Sequence, residues 1–470
     1  WSQTLIAERV RARGTLDADA FAAELDWELW MPNLTARPIR IEGEAEMNGS
    51  DGMFAVPRGA LNVAGWTLDL NGELRNGQGQ WNLAADDLDV AKVIALIPTA
   101  LLTDPETLKL TGAVNLTAKA VTTTQGSRFV ADATWTNGGL TSGAFDFSGI
   151  SAQIHADNGA QARTASTELL IDIKSAQSTE GQVTGRLTLA NLDAPNLEFA
   201  GNVTVGIAEF LRWIDITTWD EASGSAQGTL GFTQHYPSLE ELGNQGVWGG
   251  MWSGTLALSP GRWRPQGNSV ALEVQGGELD LLGQDLGLRN LKIAIGQSDA
   301  NVSGRIRNAL NDLSMAHDLQ VTSKQLNVGQ LSDSEIWNGL WTGPADPNDP
   351  EFNDPYRVEL SASRVHYDDL HLSNVQSLIV GRGLNFSFQN TAADLGGGQI
   401  RGRGDWTAAQ TDGGLLSTQL QFARVRLSTL LREVNNFNQT SLTASNVDGV
   451  LDATAAIHLD FDANYDWVPS

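Results

Sequence analysis

A period-two alternation runs through nearly the whole chain and limits what it can fold into. In "LKLTGAVNLTAKA", Leu108, Leu110, Val114, Leu116, Ala118 and Ala120 fall on one face, and Lys109, Thr111, Asn115, Thr117 and Lys119 on the other. Successive side chains of a strand point to opposite sides, so this is a strand with one apolar and one wet face. The pattern returns in "GQVTGRLTLANL" (Val183, Gly185, Leu187, Leu189) and "NLEFAGNVTV" (Leu197, Phe199, Gly201, Val203, Val205). Further copies are "ANVSGRIRN" (Val302, Gly304, Ile306), "LNFSFQN" (Leu384, Phe386, Phe388) and "GGQIRGRGDW" (Ile400, Gly402, Gly404, Trp406). "GVLDATAAIHLDF" adds Leu451, Ala453, Ala455, Ile457, Leu459 and Phe461. Strands wetted on one side belong to antiparallel sheets, and many short ones separated by turn signals make an all-β array.

Gly112, Gly185, Gly201, Gly304, Gly402 and Gly404 fall on the apolar face, where a packed core calls for Val or Ile. A strand glycine costs roughly 0.5–1 kcal/mol relative to Ala, so its recurrence points to curvature, a bulge or close approach of another group. A bent sheet has a concave face, which glycine is expected to widen. Helical patterns are too scarce to cover that face. Two readings follow. The apolar face is an open ligand groove, or two such sheets face each other and fill a sandwich core.

The few helical patterns repeat. "LDVAKVIALI" from Leu88, "VGIAEFLRWI" from Val205 and "VRLSTLLREV" from Val425 share an h-x-h-x-x-h-h pattern, where h is apolar. Leu88, Val90, Val93 and Ile94 match Val205, Ile207, Phe210 and Leu211, and also Val425, Leu427, Leu430 and Leu431. "LNVGQLSDSEIW" from Leu326 is a weaker copy with Leu326, Val328 and Leu331. A strand glycine follows three of the copies at similar spacing: Gly112, Gly228 and Gly449. Repetition of this length marks a quasi-one-dimensional architecture. The expected divisions are residues 1–87, 88–204, 205–323 and 324–470. In the weaker copy the acidic, Pro-rich "GPADPNDPEFNDPY" fills the connection.

Charge and composition exclude several functions. Thirty Lys and Arg against 56 Asp and Glu give a net charge of −26, which repels nucleic-acid phosphates and anionic headgroups. Without cysteine there is no disulfide scaffold and no thiolate metal site. There is no run of about 18 apolar residues to span a membrane as a helix. The chain begins at Trp1 rather than Met and ends in "NYDWVPS", so it is expected to be an internal piece of a longer protein.

No catalytic signature emerges. G-x-S-x-G, Walker A and a complete G-x-G-x-x-G are missing, Arg401 standing where the last glycine of "GGGQIRG" belongs. "HYDDLH", read as one strand, sends His366 and Asp368 one way and Asp369 and His371 the other, so they share no metal. Asp346, Asp349, Glu351 and Asp354 fail the EF-hand pattern and read as an exposed acidic loop. Asp460 and Asp462 read as a wet strand face rather than a glycosidase pair. The expectation is a non-enzymatic protein without metal or cofactor. Trp27, Trp30, Trp213, Trp219, Trp248, Trp252, Trp263, Trp337 and Trp341 fall near presumed strand ends and loops. They cap a groove or core there, or they stack on sugars in a secreted glycan- or protein-binding module.

Residues 323–461 resemble the C-terminal region of the AsmA family. The stretches that carry the likeness are "SKQLNVGQL", "YRVELSASRVHYDDLHLSNVQSLIVGRGLNFSFQNTAADLGGGQIRGRGDWTA", "STQLQFARVRLSTLLREV" and "VDGVLDATAAIHLDF". Gly397, Gly398, Ile400 and Gly402 meet the family's Gly-rich strand pair, Val425, Leu427, Leu430 and Leu431 its short helix, and Gly449 its following strand. The resemblance implies a long, curved, U-shaped antiparallel sheet in the Gram-negative periplasm. It also implies anchorage to the inner membrane by a segment outside this piece. Its apolar groove would carry phospholipid or other acyl-chain lipid toward outer-membrane components. The expected lining is Leu108, Leu110, Gly112, Val114, Leu116, Val183, Leu187, Leu189, Leu197, Phe199, Val203, Val302, Ile306, Leu384, Phe386, Phe388, Ile400, Trp406, Leu451, Ile457 and Leu459. A structural envelope scaffold with the same fold is the further alternative.

Overall fold

The computed structural model describes residues 6–16, 20–30, 39–48, 52–63, 65–92, 108–123, 126–160, 163–213, 219–245, 249–266, 270–310, 315–332, 354–367, 369–383, 385–408, 413–438, 440–461 and 467–468. It divides into two units, Trp1–Val205 with Thr229–Met251, and Gly206–Gly228 with Trp252–Ser470.

In the first unit twelve strands make an antiparallel meander, each pairing with the next. They are β1 (Ile6–Leu16), β2 (Ala20–Trp30), β3 (Ile39–Asn48), β4 (Met53–Val63), β5 (Trp66–Arg75), β6 (Gln78–Asp89), β7 (Lys109–Thr123), β8 (Gly126–Ser142), β9 (Phe145–Asp157), β10 (Glu168–Gln177), β11 (Gln182–Ala190) and β12 (Asn196–Gly206). The chain continues through α1 (Ile207–Trp213), β13 (Trp219–Ala222), β14 (Ser225–His235) and α2 (Leu239–Gln245).

The second unit adds β15 (Met251–Leu258), β16 (Gly261–Pro265), β17 (Leu272–Gly283), β18 (Asp285–Ile295), β19 (Ser298–Arg307), β20 (Ala316–Ser323), β21 (Leu326–Asn327), α3 (Val328–Ser332) and β22 (Pro355–Tyr367). It ends with β23 (Leu370–Arg382), β24 (Asn385–Leu395), β25 (Gly398–Ala408), β26 (Gly414–Arg426), α4 (Leu427–Glu433), β27 (Val450–Phe461) and β28 (Trp467–Val468). Here β15 and β16 both pair with β17, and a ladder runs from β17 to β28. It is antiparallel except where β20 and β21 run parallel to β22.

The expected mostly-β, antiparallel, open sheet is what each unit contains. Within each unit the described strands pair edge to edge, and most apolar-face side chains are only half-buried, against the near-complete burial a sandwich core would give them.

The repeats share a local device at helix entry. In β6 and β26, Asp87 and Arg424 each adopt φ +56. Their amides donate to the opposite strand, Asp87 to Asn115 Oδ1 at 2.8 Å and Arg424 to Asp452 Oδ1 at 2.9 Å. The next residue, Leu88 or Val425, is buried, and helix follows two residues later. A glycine with positive φ stands opposite the first helical residue. Leu427 N–H donates to Gly449 O, and Ile207 N–H to Gly224 O, both at 3.0 Å. Asp89 pairs with Ala113, which puts Gly112 in the same place opposite Val90. Their φ values are +138, +99 and +107. The structural counterpart in the second copy is therefore Gly224, not Gly228. Gly228 lies inside β14, where a Cβ would collide with Thr255 O. Val93 and Ile94 lie outside the described residues.

The best-buried clusters form around these helix entries. Trp66, Leu68, Leu88, Val90 and Val114 form one, and Leu395, Val425 and Leu430 another that Leu427 and Leu451 flank. Helix α2 has no apolar period, but its "SLEE" start is a capping signature. Ser238 Oγ accepts the Glu241 amide at 3.2 Å.

Candidate functional site

Directly paired residues of neighbouring strands share a face, so the registers show how the apolar positions line up. In the first unit one row runs Leu70, Leu83, Ala118, Ala131, Ala156, Leu169, Leu189, Leu197. The next runs Ala85, Leu116, Ala133, Ile154, Ile171, Leu187, Phe199, and a third Leu88, Val114, Trp135, Ala152, Ile173, Gly185, Gly201. Val183 pairs with Val203, and Leu110 with Leu140, to extend the face. Leu108 lies one residue before β7.

The second unit repeats the arrangement. One row runs Leu256, Leu279, Leu288, Gly304, Leu319, Val358, Ile379, Phe388, Gly404, Thr418, Ile457. The row beside it runs Leu281, Leu286, Ile306, His317, Tyr356, Gly381, Phe386, Trp406, Leu416, Leu459. Val302 pairs with Val321, Ile400 with Phe422 and Leu451 with Val425. Leu384 lies outside the described residues. At about 4.8 Å per strand, eleven strands make a row of roughly 48 Å. None of these rows contains Asp, Glu, Lys or Arg, and most of their members are only half-buried. Along these rows the apolar faces are thus continuous, uncharged and, among the described residues, mostly half-buried.

Charge lies on the opposite face. Asp172 pairs with Arg186, whose Nε and Nη2 donate to both its carboxylate oxygens at 2.7 and 3.0 Å. That guanidinium holds the Asp172 carboxyl below its usual range. Asp132 meets His155 at 2.8 Å and Arg128 meets Asp157 at 2.6 Å.

The apolar-face glycines do not widen a groove floor as expected. Several are seats for rings. A Cβ at Gly138 or Gly72 would lie 2.5 Å from the indole of Trp135 or Trp81. One at Gly404 would collide with the Phe388 ring, and one at Gly414 with Trp406. Gly185 and Gly201 pair with each other, and a Cβ on Gly185 would stand 2.6 Å from Gly201 Cα. The ring or the facing backbone takes the space that the missing side chain leaves. Alternation alone does not reveal Trp66, Trp81 and Trp135 as ring contributors, although Trp135 has the phase of Ala131 and Ala133.

The other candidates resolve as follows. "HYDDLH" is a hairpin, not one strand. Tyr367 pairs with Leu370 and His366 with His371, so the two histidines share a face, with rings edge to face at 4.6 Å. No group of three or more ligands able to hold a metal occurs among the described residues. Asp346, Asp349, Glu351, Asp368 and Asp462 lie outside them. Asp460 is exposed on the wet face. No described Trp is highly exposed: Trp213, Trp219, Trp252 and Trp263 are half-buried. Trp248, Trp337 and Trp341 lie outside the described residues, as do the side chains of Trp27 and Trp30. No helix among the described residues is long and apolar enough to cross a membrane.

His371 ties the hairpin to α4. Its amide donates to Glu433 Oε2 at 2.7 Å, and its Nδ1 lies 2.8 Å from the same oxygen. The carboxylate raises the imidazole above its ordinary value of about 6.5. A raised folded-state value stabilises fully below the unfolded value, and the gain is lost as pH rises through the folded value. The urea midpoint is therefore expected to fall as pH rises above about 6.5, and His371→Gln to flatten that slope. An equal slope in both proteins would remove the latch.

Comparison with protein-family models, with curated proteins and with solved structures finds no match to this chain.

Proposed function

We propose that this chain is a non-enzymatic lipid carrier of the Gram-negative periplasm, akin to AsmA-like proteins, holding phospholipid acyl chains on the apolar faces of its units. The observation that carries this reading is the set of uncharged apolar rows whose described members are mostly half-buried. Each methylene fully removed from water gains about 0.8 kcal/mol, and one lying on an open face roughly half of that. Because the rows continue from strand to strand, the gain stays nearly level along them. A tail, which spans roughly 15 Å, half the hydrocarbon thickness of a bilayer, can slide without returning to water. The headgroup stays at the wet strand ends. No bond is made or broken. On this reading an anchor outside the chain fixes it to the inner membrane, and outer-membrane components receive the lipid.

The test is lipid mass spectrometry of the chain purified without detergent from a Gram-negative host. Co-purifying phospholipid at near-stoichiometric amounts is expected. A folded chain free of lipid would end the carrier reading and leave the envelope scaffold or the glycan- or protein-binding module.

A further inference from the structure

We propose that His317 and Tyr356 form a hydrogen-bonding station at the rim of the second unit's apolar face, and that the group it takes is an acyl carbonyl oxygen. The inference rests on the lipid-carrier reading and adds where along the face a lipid stops. His317 on β20 and Tyr356 on β22 are direct partners, flanked in their row by Ile306 and Gly381. They are the two side chains in that row, apart from the Trp406 indole, with a polar group to offer. Neither the imidazole nor the phenol has a hydrogen-bond partner among the described residues. Both are half-buried, so water can satisfy them on the bare face; a tail lying over the row displaces that water, and the two groups then need a partner from the lipid.

Position selects the chemistry. His317 is the second residue of β20 and Tyr356 the second of β22, so the pair stands at the strand ends. Two residues inward on the same face lie Leu319 and Val358, on the purely apolar row. A tail lying on the inner rows brings its first polar atom, the carbonyl oxygen, to the strand ends, with the headgroup beyond in water. Burial lowers the His317 value, so the ring is neutral at pH 7 and offers one N–H. The phenol offers an O–H, and burial keeps its proton on. Two neutral donors suit a carbonyl oxygen. Asp354, near enough to His317 to act on its charge, disfavours a phosphate at this point. The carbonyl is that of a phospholipid ester; a free fatty acid is a carboxylate at pH 7, which Asp354 disfavours as it does a phosphate.

The test uses the whole chain with three probes: a diester phosphatidylethanolamine, the diether phosphatidylethanolamine of the same chain length, and oleate. The unaltered chain is expected to bind the diester about fivefold more tightly than the diether, the worth of one hydrogen bond. Tyr356→Phe, which keeps the ring on Gly381, and His317→Leu are expected to shrink that preference and leave diether binding unchanged. Oleate, ionised at pH 7, is expected to bind the unaltered chain and Tyr356→Phe equally; a drop in Tyr356→Phe would assign a carboxylate to the pair and overturn the ester carbonyl. Equal affinity for diester and diether, or a preference that survives both substitutions, overturns the station while leaving the carrier reading in place. Failure of all three probes to bind overturns both.

Discussion

A chain carrying Leu116→Asp or Phe386→Asp is expected to fold and to lose most of its phospholipid. Both residues lie inside a row, with a row neighbour on either side, and both are half-buried. On an open face the new carboxylate stays hydrated in the absence of lipid, so the folding cost is confined to lost contacts. For Phe386 these include the stacked Trp406 ring, at 6.3 Å between centroids. The cost is about 1–2 kcal/mol. Lipid binding suffers as well, because a tail crossing that point must either strip water from the charge or lift away. Leaving about three methylenes in water at about 0.4 kcal/mol each, the open-face value, weakens binding roughly eightfold. Circular dichroism and thermal unfolding report the fold, and mass spectrometry reports the retained lipid. If the face were instead a filled core, the same substitutions would bury a charge and unfold the chain. A folded variant that keeps its lipid would remove these rows from the binding path.

The sequence shows which residues share a face, because alternation in "GQVTGRLTLANL" and "NLEFAGNVTV" is a property of each strand alone. It does not show which residues meet across strands. Register depends on bulges, and a bulge changes the count without changing the apolar pattern. Phe388 meets Gly404 because the β24–β25 register shifts between Phe388 and Thr391, and nothing in "LNFSFQN" announces that. Turn position is weakly signalled too. Reading "HYDDLH" as one strand put His366 and His371 on opposite faces, whereas the chain reverses between Tyr367 and Leu370 and brings them together. The station at His317 could have been found from phase, since "MAHDLQVTS" places Met315, His317, Leu319 and Val321 on one face. Its partner could not, because Tyr356 reaches it through a parallel pairing of segments far apart in sequence.

Gly112→Val is expected to destabilise the first unit by about 3–5 kcal/mol, the sum of backbone strain and overpacking. Gly112 holds φ +107, outside the range a β-branched residue adopts. It sits at the register shift between Thr111 and Ala113, facing the Trp135 indole, which donates to Thr111 O at 3.0 Å. A Cβ there would stand 2.8 Å from Gly138 Cα, 2.9 Å from Thr136 O and 2.9 Å from Trp135 Nε1. Two of those neighbours are backbone and cannot step aside. Adding Trp135→Ala should therefore restore only part of the loss. Gly77→Val is the useful contrast. It has φ +77 but no atom within 4 Å of the new Cβ, so it should cost only the strain, about 1–3 kcal/mol. Urea unfolding followed by tryptophan fluorescence separates the two. Equal losses at Gly112 and Gly77 would mean that the close approach carries no weight and that backbone conformation alone selects glycine. A larger loss at Gly112 would mean that the missing side chain makes room for the neighbouring strand at the point where β6 turns into its helix.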